Sequence, residues 1–211
     1  MLSSSSMAVS ALNLPLVPEP APDVDARVIL HNVDFQTYST LRDLLDGPSP
    51  RLTYLCGTLE IMSPSRRHED LKKRIARLVE LFALERNIPL YGYGSTTFRR
   101  EAKQRGLEPD ECYCVGGDML EYPEIALEIV VTSGGINKLA VYREFGVREV
   151  WFWKDAGFEL YALRDDGFHA LARSERVPAL DFDALVRFVL LPDQHQSLLE
   201  YRAFLRTGNA K

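Results

Sequence analysis

Residues 125–131 read Ile-Ala-Leu-Glu-Ile-Val-Val, an apolar run of strand length broken at its centre by Glu128. Such a run has the composition of a strand covered on both faces. Acidic residues are almost never fully buried unless something pairs with them. An isolated ionised carboxylate in an apolar medium is too costly to persist, so Glu128 requires a cation, a metal ion or a proton. A strand covered on both faces belongs to a sheet with helices packed on it. One acid therefore constrains the fold and marks the place of a polar site within it.

The 211 residues are 46% apolar and 26% charged, the balance of a soluble globular chain. That length suffices for one domain of two or three layers. No apolar run approaches the roughly 18 residues that a membrane span needs. Residues 1–26 differ from the rest: Ser3 to Ser6 form a serine run, and Pro15, Pro18, Pro20 and Pro22 follow. This composition predicts a disordered tail, with residues 27–211 forming the domain. The start carries no basic residues, and Asn13 and Pro15 interrupt its apolar stretch, so a secretory leader is not expected and a cytoplasmic location is the default. The cysteines are Cys56, Cys112 and Cys114; a zinc site needs more ligands than these, and small buried hydrophobes are the expected role.

The formal net charge of −5 argues mildly against a nucleic-acid binder, but the distribution matters more than the sum. Arg66, Arg67, Lys72, Lys73, Arg74 and Arg77 face only Glu69 and Asp70 over residues 66–77. Arg99, Arg100, Lys103 and Arg105 face only Glu101 over residues 99–105. These stripes suit a phosphate backbone, and they equally suit a solvated helix face and a solvated turn.

Hydrophobic spacing predicts a short helix over residues 34–46, stopped by Gly47-Pro48-Ser49-Pro50. A hairpin turned at Cys56-Gly57-Thr58 follows. A long helix then starts with Ser65 as N-cap and carries an apolar stripe of Leu71, Ile75, Leu78, Val79 and Phe82. Strands are expected near residues 90–93, 96–99, around Tyr113 and through Glu128. A helix over residues 137–145 ends at Gly146, and strands at residues 150–153 and 160–163 precede closing helices near residues 182–190 and 197–205. The pattern is a mixed α/β arrangement in one domain.

Hydrolysis of a phosphodiester with Mg²⁺ needs hard oxygen ligands converging on an octahedral ion. Carboxylates at the ends of neighbouring strands supply them, often with a backbone carbonyl, and a nearby lysine orients water or offsets negative charge. Asp110, Glu128 and Lys138 have those chemical types at such places. Pro109-Asp110 followed by Glu128-Ile129-Val130 resembles the proline-aspartate, acid-x-lysine signature of restriction-endonuclease-like nucleases. More narrowly, the chain resembles the Uma-two family of endonucleases over roughly residues 28–206. The resemblance rests on four stretches in order: residues 57–64 (GTLEIMSP) followed by His68-Glu69, residues 108–111 (EPDE), residues 124–130 (EIALEIV), and Lys138 through Tyr142 to residues 146–151 (GVREVW).

That resemblance implies an α/β (α+β) fold with a central mixed sheet flanked by helices. It implies Asp110, Glu128 and the Ile129 carbonyl around Mg²⁺ or Mn²⁺, and DNA as substrate. The lack of a long apolar run leads to the expectation of no membrane contact, and a homodimer is left open. The chain departs from the superfamily at Val130, where the usual lysine would stand; Lys138 on the following helix takes that place in the Uma-two-like pattern. Glu60, which faces away from Leu59 and Ile61 on its strand, joins the candidate acids, and His68 is a candidate proton shuttle. Each residue has a second reading. Asp110 after proline suits a turn, Glu128 suits a structural pair with Arg99 or Arg100, and Lys138 suits a solvated helix. His68 suits a cap or the surface, and Tyr142, Trp151 and Trp153 suit the core or an oligomer contact. A nuclease-fold module that binds nucleic acid or a protein without turnover is the rival function.

Overall fold

The computed structural model describes residues 23–45, 47, 49–118, 121–132 and 134–207. Residues 1–22 of the tail expected from composition lie outside the described residues. The described chain begins with β1 (Ala26–His31), α1 (Phe35–Leu44), β2 (Arg51–Leu55), β3 (Thr58–Ser63) and α2 (Arg66–Glu85). Short strands follow: β4 (Leu90–Gly92), β5 (Phe98–Arg100), β6 (Arg105–Leu107), β7 (Glu111–Val115) and β8 (Ile125–Val130). The C-terminal part holds α3 (Lys138–Phe145), β9 (Glu149–Lys154), β10 (Gly157–Arg164), β11 (Gly167–Leu171), α4 (Phe182–Val189) and α5 (Gln194–Thr207).

Two sheets form where the sequence suggested one. The first has the order β1-β3-β2-β6-β5 and the second β11-β10-β9-β8-β7-β4. The second is the expected mixed sheet: β8 runs parallel to β9, while its other pairs are antiparallel. A parallel neighbour needs a crossover connection, and α3 provides it between β8 and β9. Three strands escape prediction because their patterns are weak. β6 has only three residues, β11 is mostly half-exposed, and β1 exposes Val28, Ile29 and Leu30.

The hairpin β2–β3 turns on two residues, Cys56 (φ +43°) and Gly57 (φ +86°), the positive-φ pair that matches the twist of antiparallel strands. Ser65 caps α2 as expected, its Oγ accepting the His68 N–H at 3.2 Å. Ile75, Leu78, Val79 and Phe82 of that helix are buried, packed against β8, α4 and α5. With Trp151, Trp153 and Leu127 they make the larger core; each such side chain is worth roughly 1.5–3 kcal/mol when fully buried. Both tryptophans are core residues, at 0% and 3% exposure. A second cluster lies on the opposite face of the mixed sheet, joining Cys112 and Ala126 to Val141, Tyr142 and Phe145 of α3. Because β8 is covered on both sides, Glu128, on the same face as Ala126, is carried into the interior beneath α3.

A third, smaller core packs α1 on the antiparallel sheet through Phe35, Tyr38 and Tyr54, whose rings lie 5.1–5.7 Å apart. Tyr38 lies against Gly106, where an added Cβ would overlap its ring and hydroxyl. That close approach explains the glycine in β6.

Candidate active site

Antiparallel pairing sets Glu111 of β7 opposite Leu127 of β8, so Asp110, one residue before β7, comes beside Glu128. Both are fully buried, at 1% and 0% exposure. The two acids, eighteen positions apart in sequence, therefore share one interior site.

Each acid has its own set of donors. Asp110 Oδ1 pairs with the Arg51 guanidinium and lies 2.9 Å from His68 Nε2. Its Oδ2 accepts the Ile129 N–H at 2.6 Å. Glu128 Oε2 accepts from Lys138 Nζ at 2.5 Å, and Oε1 accepts from the Tyr142 hydroxyl. Lys138 and Tyr142 are one helical turn apart, so α3 presents both groups to one carboxylate. Arg99 and Arg100 are occupied elsewhere, by Asp43 and the Glu144 carbonyl. The structural pairing considered for Glu128 thus falls to Lys138 instead of an arginine.

Behind Asp110 stands a chain of polar groups. His68 is 0% exposed, with Nδ1 3.0 Å from Asp25 Oδ2 and Nε2 3.1 Å from Arg51 Nη1. Asp25 also accepts the Ser65 N–H at 2.8 Å, and Arg51 reaches Glu69 at 2.7 Å. Burial pushes the His68 pKa down, outweighing the hydrogen bond and charge of Asp25. A neutral ring has a single N–H, given either by Nδ1 to Asp25, with Nε2 then accepting from Arg51, or by Nε2 to Asp110. For Asp25 itself, burial opposes ionisation, but the His68 hydrogen bond and the Ser65 amide outweigh it and hold the carboxyl at about 2. Burial beside Glu128 pushes the Tyr142 hydroxyl well above its ordinary range, so it stays a donor.

Glu60 does not join the two acids directly. It is 3% exposed, accepts the Ile136 N–H at 3.0 Å and lies 3.5 Å from Arg27 Nε. It closes the far wall of a cleft of about 320 Å³. Arg27 and Glu60 from the first sheet, Ile129 and Phe152 from the second, and Lys138 from α3 line this space. The cleft lies where the two sheets meet, and Lys138 connects it with Glu128.

Two neighbouring acids show what a structural carboxylate looks like here. Glu149, at 1% exposure, accepts from Trp151 Nε1, Ser174 Oγ and the amides of Glu175 and Arg176 at 2.7–2.9 Å. Glu108 pairs with buried Arg42 and accepts from Thr97. Neither adjoins the cleft. The basic residues of the two stripes largely have local partners. Lys72 pairs with Glu69 and Arg74 with Asp70; Arg77 meets Gln194, and Lys103 meets Glu144.

Asp25, Arg51 and the Tyr142 hydroxyl carry much of the site's polar structure and were missed as site residues by sequence reasoning. Asp25 lies within the stretch read as a tail, and Arg51 looks like an ordinary strand end after Pro50. Tyr142 matched the family pattern, but helical spacing alone assigned it to packing.

Among the described residues no three Asp, Glu, His or Cys side chains form a ready metal-ligand group. The donor chemistry nevertheless fits a hard divalent ion: two adjacent carboxylates carry more acceptor positions than their present donors fill. Lys138, with 17% side-chain exposure against 0% for Glu128, lines the cleft while its amine holds Glu128.

A family model described as "Putative restriction endonuclease", Uma2, matches residues 35–191. The chain belongs to the Uma2 family. No curated protein matches the chain. Among solved structures, a "putative nuclease belonging to DUF820" from Anabaena variabilis ATCC 29413 superposes with a TM-score of 0.53 at 12% identity, covering 75% of this chain and 99% of that one. At that identity the likeness shows a shared fold. The Uma2 match includes Glu60, His68, Asp110, Glu128 and Lys138, but Asp25 precedes it. No helix among the described residues is long and apolar enough to cross a membrane.

Proposed function

We propose that this Uma2 protein is a metal-dependent endonuclease that hydrolyses phosphodiester bonds in DNA. The observation that carries the reading is the convergence of Asp110 and Glu128 across β7 and β8, with Lys138 reaching from Glu128 to an open cleft. Family membership supports a nucleic-acid substrate, and nucleases of the restriction-endonuclease type generally use divalent metals.

Asp110, Glu128 and the Ile129 carbonyl would hold Mg²⁺ or Mn²⁺. When bound, the ion supplies charge neutralisation at the phosphate and a more acidic water. Arg51 and the Ile129 N–H fix the Asp110 carboxylate, and Tyr142 fixes Glu128. With its amine turned into the cleft, Lys138 orients the attacking water or offsets charge growing on the phosphate. A lysine's long stem lets it serve from α3 in place of Val130. His68, enclosed between Asp25 and Arg51, acts as a positioning residue for Asp110, and Glu60 holds the loop before α3 by accepting the Ile136 amide.

The test is incubation of purified protein with plasmid and single-stranded DNA in Mg²⁺, Mn²⁺ or EDTA. Cleavage that requires metal and disappears in Asp110→Asn and Glu128→Gln is expected. Absence of metal-dependent cleavage on every substrate removes the proposal.

One observation favours the rival reading of a binding module without turnover. Asp110 is paired with Arg51, Glu128 with Lys138 and Glu60 with Arg27, so each acid has a protein cation beside it. Under that reading the same substitutions leave DNA binding unchanged and divalent ions do not bind.

A further inference from the structure

The cleft beside Glu128 is wider and more apolar than a metal ion and one phosphate require. We propose that it receives one unstacked nucleobase next to the bound phosphodiester, so that the preferred substrate is single-stranded or locally unpaired DNA. This rests on the nuclease reading above and names its substrate class.

The wall of the cleft is aromatic. Phe152 of β9 and Tyr161 of β10 both line it, with ring centroids 5.8 Å apart and ring planes at 82°. Phe152 stands opposite Glu159 and Tyr161 two residues further along β10, the diagonal relation across which large side chains meet. Both rings are only partly buried. Every base has a flat π-face, so an aromatic wall holds bases with little regard to sequence.

Three cations line the cleft against two acids. Arg27, Lys138 and Lys154 stand there at 19%, 17% and 39% side-chain exposure, with Glu60 and Glu159 opposing them. Lys154 holds Glu159 at only 3.4 Å across the surface, a contact worth little in water and readily exchanged for a phosphate. Lys72, Arg74 and Arg77 of α2 are paired as well, and they do not line the cleft. Charge and ring faces thus coincide at the cleft.

Size decides between single and double strands. The volume of about 320 Å³ lies at the small end for ligand pockets, room for an unstacked base but not for a stretch of duplex. A base in an intact duplex must first leave the stack to enter such a pocket, at a cost of a few kcal/mol; a single strand has already done so.

The experiment measures binding of a short fluorescein-labelled oligodeoxynucleotide to the parent protein, with Ca²⁺ replacing Mg²⁺ to suppress cutting. Single strand, its duplex, and single strands with one abasic position moved along the chain are compared. The single strand is expected to bind more tightly than the duplex, and one abasic position to weaken binding roughly fivefold to a hundredfold, the range of one lost base–aromatic stack. Phe152→Leu and Tyr161→Leu should produce the same loss and remove its dependence on position, with melting temperatures checked in parallel. If either variant folds poorly, the abasic series on the parent protein decides alone. Equal binding of duplex and single strand with no effect of any abasic position overturns the pocket; if metal-dependent cleavage persists, the nuclease reading stands without it. A position-specific abasic effect without cleavage supports the pocket and removes the turnover.

Discussion

Arg51 and Asp110 form an ion pair shut off from solvent on both sides, with side-chain exposures of 4% and 0%. The same guanidinium also touches His68 and Glu69, so it ties β2, the first turn of α2 and the entrance to β7 into one unit. A buried pair contributes little net stability, because desolvation offsets the attraction. Removing one partner is a different matter.

Arg51→Met leaves Asp110 buried beside a neutral side chain. The expected loss is about 3–5 kcal/mol of unfolding free energy, measured by urea denaturation. Arg51→Met combined with Asp110→Leu should recover much of that loss, since the buried charge goes with its partner. A single variant as stable as the parent removes the claim that Arg51 is the cation Asp110 depends on.

Lys138→Met separates catalysis from structure. If the amine acts in the reaction, metal-dependent cleavage should slow by about a hundredfold or more. Without metal, Glu128 keeps only the Tyr142 hydroxyl of these two donors, so the metal-free variant should be less stable than the parent. Added Mn²⁺ should then raise its melting temperature by more than it raises the parent's, because an ion that binds only the native state stabilises it by mass action. Cleavage at the parent rate rules out a catalytic amine. Adding Val130→Lys to this variant should restore part of the rate, by returning a lysine to the position usual in the superfamily.

Tyr142→Phe deletes one hydroxyl and nothing else from the core. Its hydrogen bond goes to a charged group, so about 1.5–3 kcal/mol of stability should be lost. The melting curve and the metal affinity from calorimetry should move together, because Tyr142 orients the carboxylate that would bind the ion.

Gly135 has φ +117°, and a Cβ there would overlap the Glu60 carboxylate. Gly135→Ala should destabilise the protein by about 1–3 kcal/mol, the usual cost of such a backbone strain. Displacing Glu60 also loosens the Ile136 amide it holds. Chemical denaturation of Gly135→Ala beside Gly134→Ala gives the measure: Gly134 faces only the tip of Arg27 at 4.0 Å, so its cost should be backbone strain alone.

The acid limb of stability should report Asp25. Its native carboxyl titrates at about 2, below the ordinary 3.8. The unfolded chain therefore binds a proton first as pH falls. The contribution is complete above roughly pH 5 and is lost as pH drops through 3.8 and then 2. Asp25→Asn should flatten the stability–pH curve in that window while leaving a lower plateau at neutral pH. An unchanged slope shows that Asp25 takes no part.

Helical spacing and capping residues were legible in the chain. Ser65 and the stripe from Leu71 to Phe82 fix α2, and Gly146 ends α3, because these signals act over one or two turns. The buried acid was legible for the same local reason: Glu128 violates its own strand's composition. The family pattern then supplied Asp110 and Lys138 as its companions, and the register of β7 on β8 brought Asp110 alongside Glu128. What no local pattern carried was the choice of partners. Asp25 sits in proline-rich company and Arg51 at an unremarkable strand start, and both become site residues only when β1, β2 and α2 pack together. The division into two sheets has the same origin, since three-residue strands such as β6 are defined by pairing and not by their own residues. Periodicity and composition express what a residue needs, burial or a partner. Which partner it finds depends on contacts far apart in sequence, and those exist only in the folded chain.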